Sequence, residues 1–553
     1  MNFDNLFKDL ITSYKPSTTV SLTGSQGLNL ASIISVGQGK SNVTLDITDK
    51  FRERFEKVRE KKLEQVSSGV PIYGTTTSYG GRASVILNKG NEEKRNENAA
   101  KLSQSIVHVD VSTGPAIPKE IVRAAMLIRI NMLMPGLSGI RIKVLEVIKE
   151  LLNKNITPIV GQYGSVGASG DLAQNGRIVS CLLHLPSVMG VDKKGKISKA
   201  QILLKKNGVL PIILEPKEGL ALVNGDNFSS AAATFISYET LQLMLLNLYC
   251  NALTIQALQG SMRNFHSILS KVRPHKGQEF TSNLLRNLLQ GSKLARQDLK
   301  EPGIRGEDEL IQDPYSIRCL PQYFGPDWEN LASIWETITI NVNSVSDNPI
   351  WTTPEYIEKG EEPYKWVSGG NFLAMHMADS IDRLRKILIH IIKLNDRHLA
   401  RLVHPKFSNG LPANLSDKKA ISQTTFKGLQ TQMGMYDVYS SLLVSPASTA
   451  FGIHEEFNQD VTSHAFSSAI LSWELLRIAR YAISTNLIAS CQAIDLRGGP
   501  KLLSSTTKPL YEWVRDYVPF IKKEQPLGHY VEILSDNMLK DNVVKSVLAH
   551  LEL

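Results

Sequence analysis

Residues 229–260 read SSAAATFISYETLQLMLLNLYCNALTIQALQG. Apolar residues recur along this stretch at helical spacing and cover more than one face of the predicted helix. A helix of this kind is buried among other helices rather than lying at a surface. Asn247 and Asn251 interrupt the apolar run before it reaches the roughly 18 residues of a membrane span. The stretch therefore predicts a central helix of a bundle, and we expect a soluble protein without a membrane partner.

Helical periodicity dominates most of the remaining chain, whereas strand-like alternation is scarce. Further helices are predicted over residues 119–134, 140–152, 331–340, 373–402, 425–443 and 461–489. Short strands are predicted over residues 44–47, 83–87 and 197–204. These patterns predict a mostly α fold with a long central helical bundle and an irregular N-terminal region. The predicted division is an N-terminal region (1–225), a central bundle (226–500) and a C-terminal helical segment (501–553).

The composition is that of a globular chain, with 553 residues of which 42% are apolar and 21% charged. The net charge is +9, from 62 Lys and Arg against 53 Asp and Glu. Because the basic residues are dispersed, no nucleic-acid partner is expected. The four cysteines and twelve histidines show no metal-ligand spacing, and the first residues show no signal-peptide pattern. These features predict a cytoplasmic protein with reduced thiols and no bound metal.

The sharpest local signal is the segment YGSVGASGDL at residues 163–172. One interpretation is a glycine-rich turn in which Asp171 caps the following helix. A second interpretation is a backbone cyclisation. In a compressed loop the amide nitrogen of Gly170 can attack the carbonyl carbon of Ala168, because glycine has no Cβ to block the approach. Loss of water, including the hydroxyl of Ser169, then leaves a methylidene group, which is an electrophile made from the backbone.

This segment resembles the signature of the ammonia-lyases and aminomutases that use the 4-methylideneimidazol-5-one group (MIO), a family acting on phenylalanine, tyrosine or histidine. Other blocks resemble the family in the same order: YGTTT (73–77), RAAMLIRINMLMPGLSGIR (123–141), KEGLALVNG (217–225), QDPYSIR (312–318), DNP (347–349), GGNF (369–372), NGLP (409–412), FNQD (457–460) and CQA (491–493). The resemblance implies an ammonia-lyase-like helical fold and an MIO group formed autocatalytically from Ala168, Ser169 and Gly170. It implies no external cofactor. It also implies a homotetramer whose active sites draw on more than one subunit.

The resemblance further implies roles for individual side chains. Tyr73 would remove a β-proton from the substrate, which requires that neighbouring donors or positive charge stabilise its phenolate. Arg318 would hold the substrate carboxylate through its planar guanidinium, and Tyr315, the second active-site tyrosine, would lie on the same helix face. Glu455 would receive the amine. The other implied site residues are Asn224, beside the MIO region, and Gln312, Asn348, Phe372 and Gln459.

Sequence features within this family favour a phenylalanine or tyrosine enzyme over a histidine enzyme. Residues 457–463 resemble the phenylalanine and tyrosine forms, and Tyr439 stands where the histidine branch has a glutamate. If Gly114 anchors the alignment, Asp110 and Val111 form the pair that lines the ring pocket, where phenylalanine enzymes carry Phe-Leu and tyrosine enzymes His-Leu. Asp110 could then accept a hydrogen bond from a phenol or from another polar ring. Alternatively, the alignment is shifted by one residue, or Asp110 pairs with a neighbouring basic group.

The predicted function is elimination of ammonia from an aromatic L-amino acid, phenylalanine or tyrosine, to give cinnamate or coumarate. A phenylalanine or tyrosine 2,3-aminomutase is the first alternative, because it shares the same motif residues. A histidine ammonia-lyase and a catalytically silent family member are further alternatives. A silent member would have lost the base, the carboxylate clamp or the Ala-Ser-Gly triplet, and all three are present in this chain.

Overall fold

The computed structural model of the chain describes residues 3–24, 27–297 and 311–548. These residues are mostly helical, which confirms the predicted fold class. The helices of the N-terminal region are α1 (Asp4–Tyr14), α2 (Leu30–Gly37), α3 (Asp49–Ser67), α4 (Glu92–Ser105), α5 (Lys119–Leu133), α6 (Ile142–Asn153), α7 (Leu172–Leu182), α8 (Ala200–Lys206) and α9 (Glu218–Val223).

Strands in the described part of the chain are short and form small sheets. They are β1 (Thr19–Leu22), β2 (Asn42–Leu45), β3 (Thr113–Ala116), β4 (Thr157–Pro158), β5 (Gly161–Tyr163), β6 (Met189–Val191), β7 (Ile197–Lys199), β8 (Ile350–Trp351) and β9 (Trp366–Val367). β1 and β2 are parallel, β6 pairs with both β4 and β7, and β8 pairs with β9. The antiparallel pair of β3 and β5 brings residues 106–112 close to the 163–172 loop.

The central bundle is built on long helices that pack along one another. Its helices, with those of the C-terminal segment, are α10 (Asn227–Ala257), α11 (Ser267–Lys271), α12 (Lys276–Leu289), α13 (Tyr315–Arg318), α14 (Leu320–Val342), α15 (Met375–Leu402), α16 (Lys427–Leu442), α17 (Ala465–Leu496), α18 (Lys508–Tyr517), α19 (Gly528–Asn537) and α20 (Val544–Leu548). α10 is buried along nearly its whole length and packs against α15 and α17.

Buried asparagines connect the three central helices. The side-chain amide of Asn395 on α15 donates to the Oδ1 atom of Asn247 on α10 at 2.7 Å. Asn486 on α17 donates in turn to Asn395 Oδ1 at 2.9 Å. Buried amides are stable in an apolar core only when they are hydrogen-bonded, so these two hydrogen bonds fix the register of the three helices.

Four elements differ most from the sequence-based expectation, and one of them is α14, which begins eleven residues before its predicted start at 331. Residues 83–87 form no regular strand. Their apolar side chains Val85 and Ile86 are exposed, and a single isolated bridge joins Ile86 to Thr77. The predicted strand over 197–204 ends after three residues and continues as α8, whose buried residues have helical spacing. α17 begins only at residue 465, because His464 adopts a left-handed conformation with φ of +51°.

One hydrophobic core runs through all three predicted regions, from Leu6 to Val544. The division of the chain into those regions remains a prediction. Within the described residues, no helix combines the length and the apolar character needed to cross a bilayer.

Candidate active site

The 163–172 loop joins β5 to α7 and is packed tightly from behind. Gly170 has φ of +70°, and a Cβ at this position would lie 2.3 Å from the carbonyl carbon and oxygen of Gly225. The backbone nitrogen of Asp171 donates to the same Gly225 oxygen at 2.9 Å. Only glycine fits both the conformation and the space at position 170, so the loop is held compressed at the residue whose nitrogen would cyclise.

Asp171 does not act as the side-chain cap of α7. Its carboxylate accepts hydrogen bonds from the backbone nitrogen and the hydroxyl of Ser229 on α10, both at 2.7 Å. Instead, the hydroxyl of Ser165 accepts from the backbone nitrogen of Ala173 in the first turn of α7 at 3.1 Å. Burial raises the pKa of Asp171 to about 7, although the Ser229 donors oppose the shift. Asp171 thus ties the loop to the central bundle.

The loop borders a cavity of about 400 Å³ on the surface of the chain. Eight of the predicted site residues line it: Tyr73, Ala168, Ser169, Asn224, Asn348, Phe372, Glu455 and Gln459. Gly170, which is not among the lining residues, adjoins Ser169 in the loop. Side chains from four distant segments of sequence therefore meet at the Ala-Ser-Gly triplet.

Tyr73 reaches the cavity from the turn after α3. Its phenol oxygen accepts a hydrogen bond from the backbone nitrogen of Gly80 at 3.1 Å. Burial raises the pKa of Tyr73, the Gly80 donor lowers it, and the nearby Glu455 carboxylate raises it further. In the isolated chain these effects favour the phenol over the phenolate, so a basic Tyr73 needs additional positive charge at the site.

Glu455 and Gln459 face the loop from a short hairpin between α16 and α17. The side-chain amide of Gln459 donates to the hydroxyl of Ser169 at 3.1 Å. Glu455 lies against Gly80, where a Cβ would stand 2.3 Å from its Oε2 atom. Burial raises the pKa of Glu455, and its hydrogen bond with Gln459 opposes the shift. The carboxyl group therefore lies between the tyrosine turn and the serine of the triplet.

Asn224 and Asn348 form the floor of the cavity. The Asn224 amide donates to the backbone oxygen of Asn348 at 3.0 Å, and Asn348 Oδ1 accepts from the backbone nitrogen of Gly369 at 2.9 Å. The Asn224 Oδ1 atom is buried and has no hydrogen-bond partner among the described residues. Behind this floor, the buried guanidinium of Arg129 donates to the backbone oxygens of Ala221 and Asn224.

The segment containing Gln312, Tyr315 and Arg318 lies outside this cavity. Gln312 is exposed, and Tyr315 is 73% exposed. The Arg318 guanidinium carbon lies 4.4 Å from the centroid of the Tyr315 ring, so the two side chains share a face, as the i,i+3 spacing predicts. None of the three lines the cavity of its own chain.

Asp110 and Val111, the predicted ring-pocket pair, also lie outside the cavity. Asp110 accepts a hydrogen bond from Arg177 Nε at 2.7 Å, which is the basic-group alternative, and Val111 is 57% exposed. His108 and Val109, two residues earlier, line the cavity instead. The available signal was the His-Val pair itself, which matches the His-Leu form once the alignment is shifted by two residues. Tyr439 on α16 likewise does not line the cavity.

A phenol, a carboxyl group and a glycine-flanked serine around one cavity are features of an enzyme active site. The family model described as aromatic amino acid lyase matches residues 28–516. Phenylalanine ammonia-lyase of Nostoc punctiforme is 31% identical over 100% of this chain and 99% of its own length, and histidine ammonia-lyase of Streptococcus gordonii is 31% identical over 92% and 93%. The crystal structure of tyrosine aminomutase from Streptomyces globisporus superposes with a TM-score of 0.86 and 25% identity, covering 97% of this chain and 99% of that one.

The chain therefore belongs to the aromatic amino acid lyase family. Ammonia-lyases of this family are carbon–nitrogen lyases, and the family includes aminomutase relatives, so the chain is an enzyme of that class.

Proposed function

We propose that the chain is an MIO-dependent ammonia-lyase that converts an aromatic L-amino acid, tyrosine or phenylalanine, into coumarate or cinnamate and ammonia. The observation that carries the proposal is the convergence of Tyr73, Ser169 and Glu455 on one cavity. These are the base, the precursor of the electrophile and an amine-binding carboxylate that such an elimination requires.

The residues around the triplet fit the formation of the MIO group. Gly170 is the residue at which a side chain is excluded, and its backbone is pressed against Gly225. The Gly170 nitrogen attacks the Ala168 carbonyl carbon. That carbonyl oxygen and the Ser169 hydroxyl then leave as two water molecules, so the atoms of the step balance. The group then supplies an electrophile for the substrate amine. No external cofactor is required.

The chain's own side chains would then position the substrate and move its protons. Tyr73 takes the β-proton, while Glu455 accepts hydrogen bonds from the departing ammonia. Asn224 and Gln459 donate or accept at the polar side of the cavity, and Phe372 packs against the substrate. Arg318 holds the substrate carboxylate at the cavity of another subunit. This last role requires an oligomer, because Arg318 lies outside the cavity of its own chain, and the family resemblance implies that the oligomer is a homotetramer.

The ring end of the cavity favours a phenol over a bare phenyl group. His108 Nδ1 lies 2.8 Å from the backbone oxygen of Ser105. Because a carbonyl oxygen only accepts, Nδ1 is the donor and Nε2 of the neutral ring is left as an acceptor. An acceptor at this end can bind the hydroxyl of tyrosine, and it loses that partner when phenylalanine binds. Tyrosine is therefore the preferred candidate, with phenylalanine next.

The specificity is tested by His108→Phe, with the same change at an exposed histidine outside the cavity lining, His275→Phe, as the control. We expect the ratio of kcat/KM for tyrosine to that for phenylalanine to fall by roughly 100-fold in the His108 variant, because the hydroxyl loses its acceptor. The control should retain the wild-type ratio. An unchanged ratio in the His108 variant would remove His108 from the ring pocket.

An aminomutase is the second candidate, since the tyrosine aminomutase structure matches 97% of this chain. In a mutase, ammonia returns to the β-carbon before the arylacrylate leaves. The deciding experiment incubates the purified chain separately with L-tyrosine, L-phenylalanine and L-histidine, and separates the products by mass spectrometry. Arylacrylate with free ammonia supports the lyase, and early accumulation of a β-amino acid supports the mutase. No turnover of any of the three substrates would contradict both and favour a catalytically silent member.

A further inference from the structure

The ring-end segment, residues 106–112, is held against the helix that follows the Ala-Ser-Gly triplet. The segment begins as a 3₁₀ turn over Ile106–Val109 and then extends toward β3. α7 begins two residues after Gly170. The segment that carries His108 and Val109 and the loop that carries Ser169 are therefore connected through one helix.

Gly176 on α7 permits an unusually close approach of this segment. A Cβ at position 176 would lie 2.8 Å from the backbone nitrogen of Asp110 and 3.0 Å from its Cα. Contacts below 3.0 Å are not tolerated by real side chains, so alanine at 176 would push the segment away. The helix thus presents its bare backbone to the residue immediately after Val109.

Arg177, the next residue on α7, forms an ion pair with Asp110 in the same segment. Its Nε atom donates to Asp110 Oδ1 at 2.7 Å, and its Nη2 atom lies 3.5 Å from the backbone oxygen of Ser112. The Asp110 side chain is 9% exposed and that of Arg177 is 22% exposed. A charge-assisted hydrogen bond in such a partly buried place is directional and less screened than one at the surface.

The backbone of Asp110 is fixed as well as its carboxylate. Its nitrogen donates to the oxygen of Val107 at 3.0 Å, and the nitrogen of Val111 donates to the oxygen of Val109 at 2.9 Å. Movement of Asp110 therefore moves the turn that contains His108 and Val109. The ion pair lies outside the cavity, so it can act on a substrate only through these two residues.

We propose that the Asp110–Arg177 ion pair, seated on Gly176, is a positioning device that fixes His108 and Val109 at the ring end of the cavity and thereby sets the preference between substrate rings. This inference rests on the proposed function. It makes Asp110 and Arg177 positioning residues rather than catalytic ones.

The test compares Asp110→Asn, Arg177→Gln and the double variant with the wild type. The readout is the ratio of kcat/KM for tyrosine to that for phenylalanine, which a loss of general stability would not change. We expect each single variant to lower the ratio by roughly 10-fold, because the directional hydrogen bond to the phenol suffers more from a displaced His108 than ring packing does. The double variant should lower it no further, since both single changes break the same contact.

Arg59→Gln is the matched control, because Arg59 forms a similarly exposed ion pair with Glu215 far along the chain from the ring-end segment. It should leave the ratio unchanged. Arg177→Lys keeps the charge but loses the planar geometry and should give an intermediate ratio. Intact-mass measurement of the two-water loss, with thermal unfolding, shows that each variant is folded and carries the electrophile.

The outcomes separate this inference from the proposed function. An active wild type whose ratio stays within about twofold in both single variants overturns the positioning role while leaving the function intact. If the wild type turns over neither amino acid, the function fails, and the inference is tested by calorimetric binding of coumarate and cinnamate to the same variants. Equal changes in the affinity for both ligands would then overturn it. If the single variants do not fold, Arg177→Lys supplies the ratio, and a wild-type value there overturns it.

Discussion

The cavity and the Gln312–Arg318 segment differ in the partners that their polar side chains have within the chain. Tyr73 and Ser169 are partly buried and Glu455 is exposed, and all three have hydrogen-bond or packing partners within the chain. Arg318 stacks on an exposed tyrosine ring and forms no ion pair with a described residue. Under the proposed function, the carboxylate of a bound substrate supplies the anion that this guanidinium lacks among the described residues. Under the proposed function, the first region forms one active site, and the second contributes to the active site of another copy of the chain.

The largest effect is expected at the triplet. Ser169→Ala removes the hydroxyl that must leave as water, so the methylidene cannot form, and we expect activity to fall by on the order of 10⁵-fold or more. Intact-mass measurement should show at most the one water loss of ring closure in the variant, whereas the wild type loses two waters. Ser165→Ala, in the same loop, is the control and should still lose them. Near-normal turnover by the Ser169 variant would contradict the MIO assignment.

The two tyrosines of the cavity provide the next comparison. Tyr73→Phe removes the proposed base and should lower kcat by roughly 10²–10⁴-fold, whereas Tyr79→Phe removes only a hydroxyl that donates to the backbone oxygen of Leu102. Burial raises the pKa of Tyr73, so its phenolate forms mainly at alkaline pH. Wild-type kcat/KM should therefore rise with pH on the alkaline side. An equal loss in both variants would remove the special role of Tyr73.

Asp171 tests whether the loop is stabilised by a buried proton. With a folded pKa of about 7 against an ordinary value of 3.8, the folded chain holds a proton that the unfolded chain has released. The free energy of unfolding should therefore decline as the pH rises from about 4 to about 7 and be independent of this group above that range. An asparagine at position 171 does not titrate, so the free energy of unfolding of Asp171→Asn lacks this slope. The amount by which the wild type is more stable than the variant should therefore shrink as the pH rises.

We would measure chemical unfolding of Ser169→Ala and of the double variant Ser169→Ala/Asp171→Asn, so that cofactor formation does not differ between them. The difference in unfolding free energy should shrink by about 3 kcal/mol between pH 4.5 and 8, since one pKa unit corresponds to about 1.4 kcal/mol. A difference that stayed constant or grew with pH would show that Asp171 is ionised throughout.

The helical architecture follows from local patterns, because buried helices carry their periodicity in the sequence. α5, α10 and α15 begin and end within a few residues of their predicted bounds. Residues 83–87 show the limit of this approach, since alternation predicts a strand only where a partner strand exists. α17 starts late because the left-handed backbone at His464 is set by its contact with the loop at Val166, which no local pattern contains.

The candidate site divides in the same way. Ser169 and Tyr73 could be predicted because they occur within short contiguous motifs. The ring-end pair could not, because an alignment anchored at Gly114 does not register a shift of two residues. Only the packing of the segment on Gly176 reveals that His108 and Val109 face the cavity while Asp110 turns to Arg177. The remoteness of Arg318 from the cavity is likewise a property of the folded chain and of its assembly.

The last prediction addresses that remoteness directly. Arg318→Gln should raise KM and lower kcat/KM by roughly 100-fold, because the substrate carboxylate loses its charged hydrogen-bond partner. If Arg318 acts at the cavity of another subunit, assemblies that combine Ser169→Ala chains with Arg318→Gln chains contain some sites with both groups intact. Random mixing gives about a quarter of such sites, the product of two one-half probabilities.

Co-expression of the two variants with different affinity tags, followed by purification on both tags, isolates the mixed assemblies. Their kcat/KM should recover to about a quarter of the wild-type value, against near-zero for each variant alone. A matched mixture of Ser169→Ala with Tyr73→Phe tests the other half of the comparison. Because Tyr73 and Ser169 line the same cavity of one chain, each site then carries one defect or the other, and no recovery is expected. Recovery in the second mixture and none in the first would reverse the assignment of the two regions.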